Sequence, residues 1–389
     1  MTLAAARTDL IEPFHVMRIL AQAQQLEAKG ADIVHMEVGE PDFPTPQPII
    51  DAGIEALQQG RTRYTPALGL PALREAIAGY YRQRFSVEVA PGRIVITPGA
   101  SGALQLLLAM LAERDSTVLL ADPGYPCNRN LVHLFAAQPL AIPVGSETNY
   151  QLTADLIKSA WREDSRVVIV TTPSNPTGSV LSLDQLRGIH ATVTELGGEL
   201  IVDEIYQGLV YGQPSCSAVA LGSDLFVMNS FSKFFGMTGW RLGWLVAPPE
   251  QVPVLYKLAQ NLYLAAPTPA QYAALAAFQP ETAVILEARR QALAQRRDYL
   301  MAALKALGFG LEYAPEGAFY LYADCAAFGL DSSTLAQRLL EEAGVAVTPG
   351  QDFGRYRSDL YLRFAYTADI NRLQEGVRRI GEFLTGLRI

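Results

Sequence analysis

A chain of 389 residues, half of them hydrophobic and 18% charged, can bury a large core, which counts against a disordered chain. The formal net charge of −8, with no dense Lys/Arg run to offset it, leaves no electrostatic footprint for a phosphate backbone, so no nucleic-acid partner is expected. Residues 1–30 lack a signal peptide's basic and apolar regions, and no run of about 18 apolar residues occurs, so we expect a cytoplasmic protein with no membrane partner.

In chain order, an N-terminal arm leads to a helix-like stretch near 16–29 and then to the proline-dense segment 39–48 (GEPDFPTPQP). Between residues 90 and 250, short apolar runs alternate with stretches of helical period: 94–97, 117–121, 166–171, 199–203, 225–229 and 243–247. The runs are continuously hydrophobic, as strands of a mostly parallel sheet covered on both faces must be, so the fold class is α/β. Ligands on such sheets gather at the strand C-termini, where three loops could converge on one site: 98–101, 122–125 and 173–176. A long Ala/Arg/Leu helix follows around 281–307, then an α+β region through 309–389. The expected division is an arm and part of a small domain at 1–45, a large domain at 46–280 and a small C-terminal domain at 281–389.

Cys127, Cys216 and Cys325 are far apart and in no C-x-x-C pair, which points to reduced thiols rather than a disulfide framework. The four histidines, His15, His35, His133 and His190, are scattered and sit at no metal-ligand spacing, so no metal is expected.

Lys233 directly follows an apolar strand, within the segment SFSKFFGMTGWRLG that spans Ser230–Gly243. Most lysines are solvated surface charges. Here the neighbours matter: Ser230 and Ser232 flank it and Arg241 follows eight positions on. That set suits a cofactor with an aldehyde at one end and a phosphate at the other, the lysine forming a Schiff base and the arginine forking onto phosphate.

Asp203 ends the strand at 199–203, where an isolated aspartate would commonly be a cap or a solvated acid. As part of this set it can pair with a protonated ring nitrogen and keep the ring an electron sink. Tyr206, three residues later, and Asn175, in SNPTG, are placed to hydrogen-bond a ring phenolate. Gly99, Ala100 and Ser101 open a helical run reaching about Leu111, whose free N–H groups can hold a phosphate dianion. No G-x-G-x-x-G or G-x-x-x-x-G-K-[ST] pattern competes with that reading at this turn. Tyr125 offers a flat ring to stack on the cofactor; the alternative is a half-buried core tyrosine.

Together PGASGAL, SNPTG, VDEIY and SFSKFFGMTGWRLGW, in this order, resemble the class I/II aminotransferases of fold type I, and the resemblance spans nearly the whole chain. It implies a large domain built on a mostly parallel seven-stranded sheet sandwiched by helices, plus a smaller α+β domain. It also implies pyridoxal 5′-phosphate (PLP) as coenzyme, with Lys233 carrying it and moving the proton between substrate Cα and coenzyme C4′. Asp203, Tyr206, Asn175, Tyr125, Ser230, Ser232 and Arg241 would hold the coenzyme. Arg363 would grip the substrate carboxylate, with Asn175 and Gly39 beside it. The tyrosine matching Tyr64 reaches the neighbouring subunit's phosphate in this family, which implies a homodimer with shared sites.

The activity so implied is transfer of the α-amino group of an L-amino acid to a 2-oxo acid by a ping-pong route through the pyridoxamine form. Glutamate with 2-oxoglutarate is the expected co-substrate pair, with pyruvate the other candidate acceptor. C–S lyases and aminocyclopropane-carboxylate-synthase-like enzymes share these coenzyme motifs, so the motifs alone do not separate them. A PLP-binding regulator would need an N-terminal DNA-binding module, for which residues 1–35 are too few and carry no basic stripe. No motif places a second cation for dicarboxylic substrates, and Arg18 and Arg61 are expected to form surface ion pairs.

Overall fold

The computed structural model describes residues 4–387. Among the described residues twelve strands occur in chain order. They are β1 (Val34–His35), β2 (Ile94–Thr97), β3 (Thr117–Asp122), β4 (Gln138–Pro143), β5 (Ser165–Thr171) and β6 (Glu199–Asp203). After these come β7 (Phe226–Ser230), β8 (Gly243–Val246), β9 (Tyr320–Asp324), β10 (Val345–Ala346), β11 (Thr348–Pro349) and β12 (Tyr361–Ala365).

Seven of them form one sheet in the order β2-β8-β7-β6-β5-β3-β4. The strands from β7 through β6, β5 and β3 to β4 are mutually parallel, whereas β8 runs antiparallel to both of its neighbours, β2 and β7. Reversing β8 alone keeps the C-termini of the other six at one rim and brings the start of β8 to that rim. Period-two alternation then divides the strand residues between two cores. Ile94, Ile96, Leu119, Val168, Val170, Leu200 and Val202 enter one core, while Val95, Val118, Leu120, Val167, Ile169 and Ile201 enter the other. Burial on both faces is why these runs read as unbroken apolar sequence.

One strand escapes the apolar pattern. The edge strand β4, QPLAIP, carries two prolines and buries only Ile142 well. An edge position tolerates this, because one row of its backbone groups has no ladder partner to lose.

A third core gathers around the antiparallel sheet β11-β12-β9. The helices Pro280–Ala306, Ser332–Ala343 and Ile370–Leu387 contribute to it, as do Ile19 and Ala23 of the helix His15–Glu27. The N-terminal segment is tied to this layer by β1, which pairs parallel with β10, Val34 opposite Val345. Asp352 also accepts the backbone N–H of His15 at 2.8 Å, which satisfies a free donor at that helix start. Among the described residues no helix is long and apolar enough to cross a membrane.

Candidate active site

The rim of the seven-stranded sheet faces a cavity of about 300 Å³, and its walls come from loops far apart in sequence. The exit of β7 supplies Ser230, Ser232 and Lys233; the exit of β6 supplies Asp203 and Tyr206. The exits of β5 and β3 supply Asn175 and Tyr125, and the helix Gly99–Leu111 after β2 supplies Ala100 and Ser101. Arg241 enters from just before β8, Arg363 from β12, and Gly39 from the segment after β1. Of the site residues singled out in the sequence, Gly99 does not line the cavity but lies against the Arg241 guanidinium, and Tyr64 lies elsewhere, 83% exposed on the surface.

Lys233 is half-buried, and its Nζ donates to the carbonyl oxygen of Gly39 at 2.8 Å. Burial pushes its pKa down to about 8; Glu40 and Asp203 oppose the fall, while Arg363 and Arg241 add to it. Asp203, 4% exposed, accepts the Ile205 N–H at 3.0 Å. Burial raises its carboxyl to about 7, against the pull of that N–H and of Lys233. An acid held near neutrality beside an amine lowered toward it is a pairing that recurs at functional sites.

Arg241 sits in left-handed backbone, φ +54°, a conformation that costs a residue with a Cβ about 1 kcal/mol. Its Nη1 donates to the Thr238 carbonyl at 3.0 Å, and the guanidinium lies over Gly99, where an added Cβ would come within 2.8 Å of Nη2. Gly99 itself has φ +74° and opens a helix whose N-cap, Pro98, offers no side-chain acceptor. The first-turn N–H groups therefore stay free for an anion. Ser230 Oγ lies 3.0 Å from Ser232 Oγ and accepts the Ser232 N–H at 3.1 Å, which sets both hydroxyls at the same edge.

Across the cavity Arg363, 4% exposed, donates from Nη1 to Asn175 Oδ1 at 2.9 Å and from Nη2 to the Glu37 carbonyl and to Thr348 Oγ1. Its guanidinium is sandwiched by two rings, Tyr320 at 4.3 Å and Phe353 at 4.7 Å from their centroids. Nε, buried, makes no hydrogen bond. Tyr125 precedes the helix Pro126–Leu134 and stacks on Phe14, with centroids 6.1 Å apart.

Several wall residues carried no signal in the sequence. Phe14 and Met17 come from the arm and the first helix, Cys127 and Asn128 follow Tyr125, and Asp352 and Phe353 precede β12. Nothing in the sequence spacing announced the contact of Tyr320 with Arg363. The expected ion pairs of Arg18 and Arg61 do not form: Arg18 meets the His15 ring at 3.2 Å, and Arg61 meets Gln59 and the face of Tyr272. Among the described residues neither forms an ion pair with a carboxylate.

The donor set fits PLP. A buried amine suits the aldehyde, a bare helix start with Arg241 and two serine hydroxyls suits the phosphate, and Asp203 suits a protonated ring nitrogen. A family model, aminotransferase class I and II, matches residues 31–380. The chain belongs to the class I and II aminotransferases. Enzymes of this class depend on PLP and move an amino group from an amino acid to a 2-oxo acid, and this chain is such a transaminase.

The aminotransferase is 36% identical over 376 residues to a (5-formylfuran-3-yl)methyl phosphate transaminase of Methanocaldococcus jannaschii, covering 96% of this chain and 97% of that one. It is 35% identical to a valine–pyruvate aminotransferase of Mycobacterium tuberculosis, covering 96% and 97%. Among solved structures, an aminotransferase from Mycobacterium tuberculosis superposes with a TM-score of 0.95 at 35% identity, over 99% of this chain and all of that one. The aspartate aminotransferase of Thermus thermophilus with maleate superposes with a TM-score of 0.92 at 30% identity, over 98% of this chain and all of that one. The seven-stranded sheet with helices on both faces is accordingly the aspartate-aminotransferase-like fold of type I.

Proposed function

We propose that Lys233 is the amine that carries the coenzyme and the base that takes the proton from the substrate Cα. When bound, PLP supplies the sink for the electrons of the breaking Cα–H bond. Asp203 holds the ring nitrogen, and Tyr206 and Asn175 donate to the ring oxygen. Tyr125 stacks on the ring. Gly99, Ala100, Ser101, Ser230, Ser232 and Arg241 bind the phosphate. Arg363 binds the substrate α-carboxylate by a two-pronged contact, with Asn175 and Gly39 beside it, and so orients the Cα–H bond.

The observation that carries this reading is the Lys233 amine, held at 2.8 Å by a neutral carbonyl in a cavity that also contains Asp203, Arg241 and Arg363. An uncharged amine is a nucleophile and a base, and the lowering of its pKa to about 8 makes that form far more accessible near neutral pH than on an ordinary lysine.

We infer an arm and part of the small domain at 1–45, a large domain at 46–280 and a small domain at 281–389; the core around β9 and β12 draws mainly on the first and last of these segments. The acceptor is a 2-oxo acid, 2-oxoglutarate or pyruvate. Tyr64, exposed on one chain, reaches the phosphate of a second copy in a homodimer with shared sites. The free thiols Cys127, Cys216 and Cys325 fit a reducing cytoplasm.

The test is absorbance of the holoenzyme with one amino acid and no acceptor. A transaminase converts the coenzyme band once, in proportion to enzyme, and stops; continuous release of pyruvate and ammonia would instead make the chain a lyase. Sedimentation of the same sample decides the dimer, and a monomer at micromolar concentration would remove Tyr64 from the site.

A further inference from the structure

Tyr320 is the first residue of β9, and its ring is buried, 1% exposed. In the antiparallel pairing of β9 with β12, Tyr322 faces Arg363 and Tyr320 faces Ala365. Tyr320 is thus the diagonal neighbour of Arg363, a separation that long side chains span. The guanidinium carbon comes to rest 4.3 Å from the Tyr320 ring centroid.

The other end of the same side chain meets a different group. Its hydroxyl lies 2.9 Å from the Tyr206 hydroxyl, and the two rings meet edge to face at 81°. It also lies against Gly39, where an added Cβ would fall 2.0 Å from the Tyr320 oxygen. Gly39 is the residue whose carbonyl holds the Lys233 amine. One buried phenol therefore touches the substrate-carboxylate arginine, the coenzyme-oxygen tyrosine and the backbone behind the catalytic lysine.

We propose that Tyr320 is a positioning residue that orients the Tyr206 hydroxyl and couples to it the pairing of Arg363 with a carboxylate. The inference rests on the roles proposed above for Tyr206, Arg363 and Lys233. Two phenols sharing one hydrogen bond must choose a donor. If Tyr206 donated to Tyr320, its single proton would be spent inside the protein and none would remain for the coenzyme's ring oxygen. Burial raises the Tyr320 phenol above its ordinary value, but the Arg363 cation on its ring opposes that rise, and a cation that close makes it the better donor of the pair. Tyr320 then donates to the Tyr206 oxygen, and the Tyr206 proton points outward to the coenzyme. A substrate carboxylate on Arg363 cancels part of that charge and weakens the Tyr320 donor. Binding at one end of the substrate is thereby felt at the coenzyme ring oxygen through a path distinct from the Arg363–Asn175 hydrogen bond.

The experiment uses the holoenzyme with three variants, Tyr320→Phe, Tyr320→Leu and Tyr206→Phe, and the double variant Tyr206→Phe/Tyr320→Phe. Tyr320→Phe keeps the ring on Arg363 and removes only the hydroxyl. It is expected to shift the pH midpoint of the coenzyme's visible absorbance upward by at least half a unit and to lower kcat about fivefold, with KM unchanged within twofold. Tyr320→Leu also removes the ring, and is expected to weaken binding of 3-phenylpropionate, a carboxylate with no amine to react, at least tenfold. In the Tyr206→Phe background, Tyr320→Phe should shift the absorbance midpoint no further.

An unshifted midpoint in Tyr320→Phe overturns the proposal, as does full additivity in the double variant. Should Tyr320→Leu not fold, the Phe variant and the double variant decide alone. A Lys233→Ala control separates the two readings, since turnover in that variant would defeat the assignment of Lys233 whatever Tyr320 does.

Discussion

Lys233 donates its amine proton to the carbonyl of Gly39, 194 residues earlier in the chain, at 2.8 Å. The acceptor is a neutral dipole rather than a carboxylate, so burial outweighs attraction and the pKa falls to about 8. Below that pH the amine is a cation and cannot attack an aldehyde. Uptake of PLP by the coenzyme-free protein should therefore quicken about tenfold per pH unit up to near 8 and then level off. Stopped-flow absorbance reads this directly, and a rate that stays flat from pH 6 to 9 would contradict it. Lys233→Ala should lose the visible absorbance of attached coenzyme and at least about 1000-fold in turnover.

Asp203 is the mirror case. Its carboxyl is raised by burial from 3.8 to about 7, so the folded chain holds a proton that the unfolded chain has released. Stability of the coenzyme-free protein then falls as pH rises from about 4 to 7, by roughly 4 kcal/mol at most. Asp203→Asn removes that dependence while keeping the shape. The coenzyme-free variant should melt higher than wild type at pH 8 and nearly equal to it at pH 4.5. In the holoenzyme the proposed role of Asp203 at the ring nitrogen predicts that the same change costs at least about 100-fold in turnover. Equal melting differences at both pH values would count against a buried, protonated Asp203.

Gly39 tolerates no side chain, since the oxygen of Tyr320 stands 2.0 Å from where a Cβ would sit. Gly39→Ala must push Tyr320 or the backbone aside. We expect a loss of about 1–3 kcal/mol in stability, and a fall in kcat/KM larger than that of Tyr320→Phe. Chemical denaturation and steady-state kinetics on one preparation test both, and an Ala variant with wild-type kinetics would show that the carbonyl can shift without disturbing Lys233.

Arg363→Ala should keep coenzyme and lose its grip on amino acids. A two-pronged charged contact is worth about 1.5–3 kcal/mol per hydrogen bond, so KM should rise roughly 100-fold or more while the coenzyme spectrum holds its amplitude. Arg363→Lys restores charge but neither the fork nor the flat face between Tyr320 and Phe353, so it should recover only a small part. Loss of coenzyme from Arg363→Ala would show that the residue belongs to the coenzyme's hold instead.

Much of this was legible in the sequence, because strands buried on both faces leave unbroken apolar runs and the loops behind them carry unusual polar residues. Lys233, Asp203 and Asn175 were legible for that reason. The strand β4 was not, since an edge position accepts prolines and exposed residues that erase the pattern. Two-residue strands such as β1 and β10 fall below any periodicity. The sandwich on Arg363 was hidden for another reason: Tyr320 and Phe353 approach it from separate elements, and no local spacing records a contact made only when β9 and β12 pair.

The reversal of β8 has one further result. Residues 231–242 are pinned at both ends by the β7–β8 ladder, with Ser230 opposite Gly243 and the Phe231 N–H on the Leu242 carbonyl at 3.0 Å. Lys233 and Arg241 thus belong to a single clasp whose two ends are held in register. Arg363 is carried by the separate sheet β11-β12-β9, so its position is set by a different ladder from the one that holds Lys233 and Arg241.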